Sequence, residues 1–279
     1  MTIPPLAAET IFRIGSFPVT NSYINSTIAV LLFIGVAYLV KRNVKDVPGR
    51  LQSAVEATLE FLLGYFDNVT NDRAKSRRFM PLVATIFLFV LVSNWMGLLP
   101  GTGSIGVWEM VHGELELVPI LRPAASDLNL TLAIAALSVV ASHAFGIVTL
   151  GFFVHWNKFI QLGTLWKAVI SLNPTKIMIG IVEFLVGFIE LFSEVAKIVS
   201  LSLRLFGNIF AGEVLITVIA GLFAFALPLP FMALELIVGI VQATVFALLT
   251  LVYLTVATSK PHGVEEEHAK HERQHAVAA

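Results

Sequence analysis

The chain has 279 residues, of which 57% are hydrophobic and only 13% charged, with a net charge of −1 and no cysteine. Soluble globular proteins carry about 25% charged residues, so this composition excludes a soluble domain and describes an integral membrane protein. The near-zero charge argues against a nucleic-acid partner, and the lack of cysteine excludes disulfides, haem–thiolate and iron–sulfur ligation.

The opening stretch "MTIPPLAAETIFRIG" has no basic start and no continuous apolar run, so it does not read as a signal peptide. The first apolar run, 24–40, is followed at once by "KRNVK", which predicts a retained membrane span ending on the cytoplasmic side. In 48–76 the apolar residues Leu51, Val55, Leu59, Leu62, Leu63 and Phe66 recur at intervals of three and four, with charges on the other side. That pattern predicts an amphipathic helix at the membrane surface. Spans are expected at 79–99 and 128–154, with a charged outer loop at 100–127 between them that carries Glu109, Glu114, Glu116 and Asp127. The run 176–227 holds 52 residues without proline; as one helix it would reach ~78 Å at 1.5 Å per residue, far beyond the ~30 Å of a bilayer core. A single, strongly tilted helix is therefore expected. "PLP" at 228–230 is expected to turn the chain into a last span, 230–258.

The predicted fold is an all-α integral membrane protein: five membrane helices plus one amphipathic surface helix, the last two spans forming a long tilted hairpin. Residues 1–259 would make a single membrane domain and 260–279 a charged cytoplasmic tail. With the N-terminus outside, fourteen of the eighteen lysines and arginines fall on the cytoplasmic side, Arg13 and Arg122 fall outside, and Lys197 and Arg204 remain within the membrane region. This bias fixes the expected orientation.

The polar residues inside the apolar runs carry the functional argument. Glu183, Glu190, Lys197 and Arg204 are spaced by seven and form one slowly drifting stripe, which Ser200 and Asn208 share. Glu213, nine residues beyond Arg204, falls on the opposite face. Glu235 and Gln242 lie seven apart on the last helix. In an antiparallel hairpin, a register that sets Arg204 beside Gln242 sets Glu213 close to Glu235. Two carboxylates in a poorly solvated site do not both ionise easily, so such a pair suits a proton relay. An intramembrane charge costs ~2.5–3.5 kcal/mol at a helix centre. Structural pairing of Arg204 with Glu190 or Glu194 would account for one such charge, whereas ion conduction or ion-coupled transport accounts for the set.

Other signals divide between bland and functional readings. His143 is either a core histidine bonded to a neighbouring helix or a point on an ion path. Asp127 with Asn129 reads as a helix N-cap, with a second possible role at an aqueous mouth. "HERQH" at 271–275 matches the H-E-x-x-H zinc pattern, but in a charged tail it reads as solvated, and no metal site is expected. No phosphate-binding glycine loop is present in the sequence, and no internal repeat of the kind that marks many transporters.

The stretches "SLSLRLFGNIFAGE" (200–213) and "QATVFALLTLVYL" (242–254) resemble the a subunit of rotary F-type ATP synthases, the membrane stator beside the c ring. "VPGRLQSAVE" (47–56), "NWMGLLPG" (94–101) and "SDLNLTLA" (126–133) resemble the same family in the same order. The resemblance implies a non-catalytic subunit, without cofactor, that passes protons to and from a c-subunit carboxylate through two aqueous half-channels. It implies the c-subunit ring, the peripheral-stalk b subunits and the rest of the ATP synthase complex as partners within the lipid bilayer. The expected location is the bacterial inner membrane, or alternatively an organellar energy-transducing membrane. The family's essential arginine falls on Arg204. Asn208, Glu213, Glu235 and Gln242 fall on or next to the outer half-channel, where His143 and Asp127 are also expected. Ser200, Glu190 and Glu194 are expected on the inner one. Two alternatives stay open at this point: an ion-coupled secondary transporter with a midplane charged site, and a membrane-anchored scaffold.

Overall fold

A computed structural model describes residues 5–99, 102, 105–111, 114–157, 159, 170, 174–223 and 227–259. Among these, seven helices dominate: α1 Asn21–Arg42, α2 Arg50–Thr70, α3 Arg73–Gly97, α4 Leu128–Leu150, α5 Phe152–Trp156, α6 Pro174–Leu222 and α7 Pro228–Thr258. α1, α3, α4, α6 and α7 are long and apolar enough to cross a membrane, so the all-α, five-span fold class is that of an integral membrane protein. Two antiparallel hairpins, β1 Thr10–Ile14 with β2 Phe17–Thr20 and β3 Gly106–Val111 with β4 Glu114–Pro119, were not in the expected pattern. They are short local pairings in segments whose apolar residues are too few for a span.

Local chemistry sets the helix ends. Thr20 caps α1 by accepting from the Tyr23 N–H. The predicted amphipathic helix stops at Thr70 because Asn71 adopts a left-handed conformation with φ 51°, which asparagine tolerates better than most residues. Asp72 then caps α3 through the N–H groups of Ala74 and Lys75, so the expected 48–76 element is α2 plus the first turn of α3. At this surface corner Arg73 bonds Asp67, and that bond, helped by Ser76, holds the Asp67 carboxyl below its ordinary range. The predicted 128–154 span ends early, at Leu150. Gly151, at φ 88°, is the break, because only glycine adopts that backbone freely.

α6 is one unbroken helix of 49 residues. Its single proline is Pro174, at the first position, where the missing N–H costs nothing. Gly207 and Gly212 do not interrupt it. At 1.5 Å per residue it spans ~73 Å, so in a ~30 Å core it must run steeply inclined or continue beyond the core. "PLP" is not the turn itself: Pro228 and Pro230 form the first turn of α7, where proline is tolerated.

The chain packs as two units, residues 1–136 with 199–251, and residues 137–198 with 252–279. In the first, Phe66, Phe79, Val83 and Val90 form the α2–α3 core, and Leu201, Leu205 and Ile209 of α6 are buried, as are Ala243, Phe246 and Ala247 of α7. The four-residue spacing of Leu201, Leu205 and Ile209 makes one apolar lane of α6 face inward. Ser200, Leu203, Arg204, Gly207, Asn208 and Ala211 form an adjoining, exposed lane. In the second unit, the end of α4, α5, the first part of α6 and the end of α7 surround a small polar cluster.

Candidate functional site

Arg204 stands on the exposed lane of α6. Among the described residues no carboxylate lies within ion-pair distance of it. The structural alternative, pairing with Glu190 or Glu194, is therefore not what this fold does. One turn further on, Asn208 donates to the Gln242 side chain of α7 at 2.7 Å. This contact sets the antiparallel register of the two helices within the first unit. One more turn along α6, the Glu235 carboxylate of α7 packs directly on the bare Cα of Gly212: a methyl group placed there would overlap it. Glycine is what allows the carboxylate to sit so close to the α6 backbone.

Glu213 points away from the Arg204 lane, as its position on the helix requires. Its partner is a residue that sequence reasoning did not single out. Arg122, in the turn before α4, donates Nε to Glu213 Oε1 at 2.8 Å and to Oε2 at 3.1 Å, and Nη2 to Oε2 at 3.1 Å. Glu213 was expected to pair with Glu235. Glu235 packs on the residue next to Glu213, but the bonds of Glu213 go to Arg122. The signal in the sequence was faint: Arg122 is one of only two basic residues assigned outside, in a loop otherwise acidic.

Asp127 caps α4 by accepting from the Asn129 N–H at 2.9 Å, as its spacing predicted. Several buried polar atoms of this unit have no protein hydrogen-bond partner: Asn25 Oδ1, Ser93 Oγ, both amide atoms of Asn94, Glu235 Oε1 and Gln242 Nε2. Asn94 and Trp95 of α3 lie against Gly239, between Glu235 and Gln242 on α7, and Trp95 Nε1 donates to the Leu236 carbonyl at 3.2 Å. Buried polar atoms cost ~1–3 kcal/mol each when unsatisfied, so this group calls for water.

The second unit holds the other titratable cluster. Glu194 of α6 accepts from Lys197 Nζ at 2.7 Å and lies 3.4 Å from His143 Nε2. His143 Nδ1 is 3.1 Å from Nε2 of His155. His155 is 1% exposed and is delivered by α5, which the Gly151 break folds back toward α4. Lys197 also sits 5.2 Å over the Tyr253 ring. A cavity of about 40 Å³ opens among Ser142, His143, His155, Glu190, Glu194 and Tyr253, room for water by the ~10–15 Å³ criterion. His143 was expected with Glu213 and Glu235; its contacts instead join it to Glu194, the residue expected on the inner path. His155 was not foreseen, because its twelve-residue separation from His143 matters only once the helix breaks. No group of metal-ligating residues occurs among the described residues, and "HERQH" lies outside them.

The family model for the ATP synthase A chain matches residues 23–255. This chain belongs to that family. It is 34% identical over 254 residues to ATP synthase subunit a of Mycobacterium ulcerans (strain Agy99), covering 89% of both chains. It is 35% identical over 254 residues to the subunit a of Mycobacterium tuberculosis (strain CDC 1551 / Oshkosh), again covering 89% of each. It is 30% identical over 244 residues to that of Moorella thermoacetica, covering 88% of this chain and 93% of the relative. As a member of the A chain family it is a multi-pass, non-catalytic membrane subunit of the ATP synthase complex, the proton-translocating stator.

Proposed function

We propose that this A chain subunit exchanges protons with the carboxylates of a c-subunit ring through two separate hydrated half-channels, with Arg204 standing between them. The observation that carries this reading is an arginine exposed on a long apolar helix with no carboxylate within ion-pair distance among the described residues. A guanidinium keeps its charge throughout the working pH range. An unpaired intramembrane charge costs ~2.5–3.5 kcal/mol, and that cost is offset when a partner's carboxylate comes to rest against it. The ring carboxylate is then held ionised as it passes, and the fixed cation blocks direct proton leak from one half-channel to the other.

Asn208, Gln242, Glu235 and Glu213 belong to the outer path, with Asp127 near its mouth. The support is the chain of contacts from Asn208 to Gln242 and from Gly212 to Glu235, and the buried polar atoms of the same unit that call for water. Glu194, Glu190 and Ser200 belong to the inner path, joined by His143 and His155. The support there is the bonded series His155–His143–Glu194–Lys197 around a water-sized cavity. The orientation has the N-terminus outside and the C-terminus in the cytoplasm, in a bacterial inner membrane, and the peripheral-stalk b subunits complete the stator.

The test is passive proton flux through membranes stripped of the catalytic head. Glu194→Gln is expected to lower that flux about a hundredfold or more, the scale of a lost proton-transfer group, while Glu194→Asp retains most of it. Wild-type flux in Glu194→Gln would remove the His143–Glu194 series from the path.

A further inference from the structure

The proposed half-channels leave Arg122 without a part in proton movement. Arg122 is 2% exposed, and its surroundings are unusually complete. Besides the three contacts to Glu213, Nη2 donates to the Pro5 carbonyl at 2.9 Å and Nη1 to the Ala7 carbonyl at 3.3 Å. Its own carbonyl accepts from Asn25 Nδ2 at 2.7 Å, and the same amide donates to the Ser93 carbonyl at 3.0 Å. One guanidinium therefore ties together the N-terminal segment, the turn before α4 and Glu213 of α6, while its backbone is held by α1.

The two outer carboxylates are consequently unequal. Glu213 is held by a fork of charge-assisted bonds, which fix direction as well as distance. Glu235, 8% exposed, has no cation within ion-pair distance among the described residues, and its Oε1 has no hydrogen-bond partner. The other acids near this corner are Asp127, engaged as the α4 cap, and Glu9, which accepts from Asn21 at 3.2 Å.

We propose that Arg122 is a positioning residue for proton transfer at Glu213: its fixed charge and planar fork hold the carboxylate in one orientation beneath the N-terminal segment and set the outer proton concentration at which it exchanges. This rests on the reading that Glu213 lies on the outer path. Removing a neighbouring cation makes a carboxylate take up protons more readily, so the inference has a definite sign.

The experiment measures passive proton flux through the whole membrane sector in head-stripped vesicles, as a function of outer-side pH at fixed inner pH and fixed potential. Arg122→Gln is expected to move the half-maximal flux to higher outer pH by about one unit or more, the usual scale for an adjacent charge, with a lower maximum. Arg122→Lys keeps the charge but loses the fork; its midpoint stays near wild type while its maximum falls. Arg122→Gln combined with Glu213→Gln is expected to be no worse than Glu213→Gln alone, because the two residues act as one unit. If Arg122→Gln does not assemble, Arg122→Lys decides the matter: a midpoint displaced by a full unit despite the retained charge overturns the proposal. So does an unmoved midpoint in Arg122→Gln, or losses that add in the double variant. If Glu213→Gln alone leaves the flux intact, it is the placement of Glu213 on the path that fails. If Glu213→Gln stops the flux and Arg122→Gln changes nothing, only the role of Arg122 fails.

Discussion

Arg204→Ala is expected to reduce proton-driven ATP synthesis to background while the subunit still inserts and assembles. The side chain is exposed on α6 and makes no ion pair among the described residues, so its loss leaves the packed lane of Leu201, Leu205 and Ile209 intact. What it removes, on the proposed function, is the fixed cation against which a ring carboxylate would rest. Arg204→Lys is expected to be badly impaired as well, because a compact ammonium lacks the planar fork and gives up its proton more readily in an apolar setting. The check is ATP synthesis by inverted membranes, alongside an immunoblot for the subunit. Coupled synthesis near the wild-type rate in Arg204→Ala would remove the basis for its role.

Gly212→Ala is expected to have the next largest effect, on flux rather than on folding. The new methyl would occupy the space of the Glu235 carboxylate. A carboxylate is the far end of a flexible side chain, so it swings aside and the backbone stays. The Glu235 carboxylate, a proton-transfer group in the proposed outer path, is thereby displaced by an ångström or more, and a shift of that size costs up to ~100-fold in a positioned transfer. Shortening the acid makes room again: Gly212→Ala with Glu235→Asp is expected to recover part of the loss. Passive flux in head-stripped vesicles checks both, and equal flux in wild type and Gly212→Ala would show that the Glu235 carboxylate does not need its present position.

Much of the fold was legible because apolar length is so direct a signal. α1, α3, α6 and α7 begin and end within a few residues of the expected spans, except that α3 begins six residues early, with the charged "RAKSRR" stretch at its start. The unbroken α6 followed from a long run with no internal proline. The misses have local causes. Gly151 could not be recognised as a break, because a lone glycine in an apolar run is usually tolerated within a helix. The β-hairpins depend on turn geometry in segments with weak alternation. At the site, helical periodicity set Arg204 and Glu213 on different faces, but the expected register placed Gln242 beside Arg204 and Glu235 close to Glu213, whereas Gln242 meets Asn208, one turn on, and Glu235 meets Gly212. Arg122 and His155 were not legible, because each reaches its partner from a different element, across ninety-one residues for Arg122 and Glu213 and across a helix break for His155. Periodicity reports only neighbours on the same helix.

The lane of α6 bearing Arg204 is expected to meet the c ring. The chain contains no cysteine, so a single introduced thiol is unique within it. Gly207 lies one turn from Arg204 with open space around it. Oxidative cross-linking of Gly207→Cys to a cysteine placed beside the ring carboxylate, in the assembled complex, tests the claim most directly. A cross-linked a–c product is predicted for Gly207→Cys and not for Ile237→Cys, which is comparably exposed on α7. A product from Ile237→Cys, with none from Gly207→Cys, would contradict it.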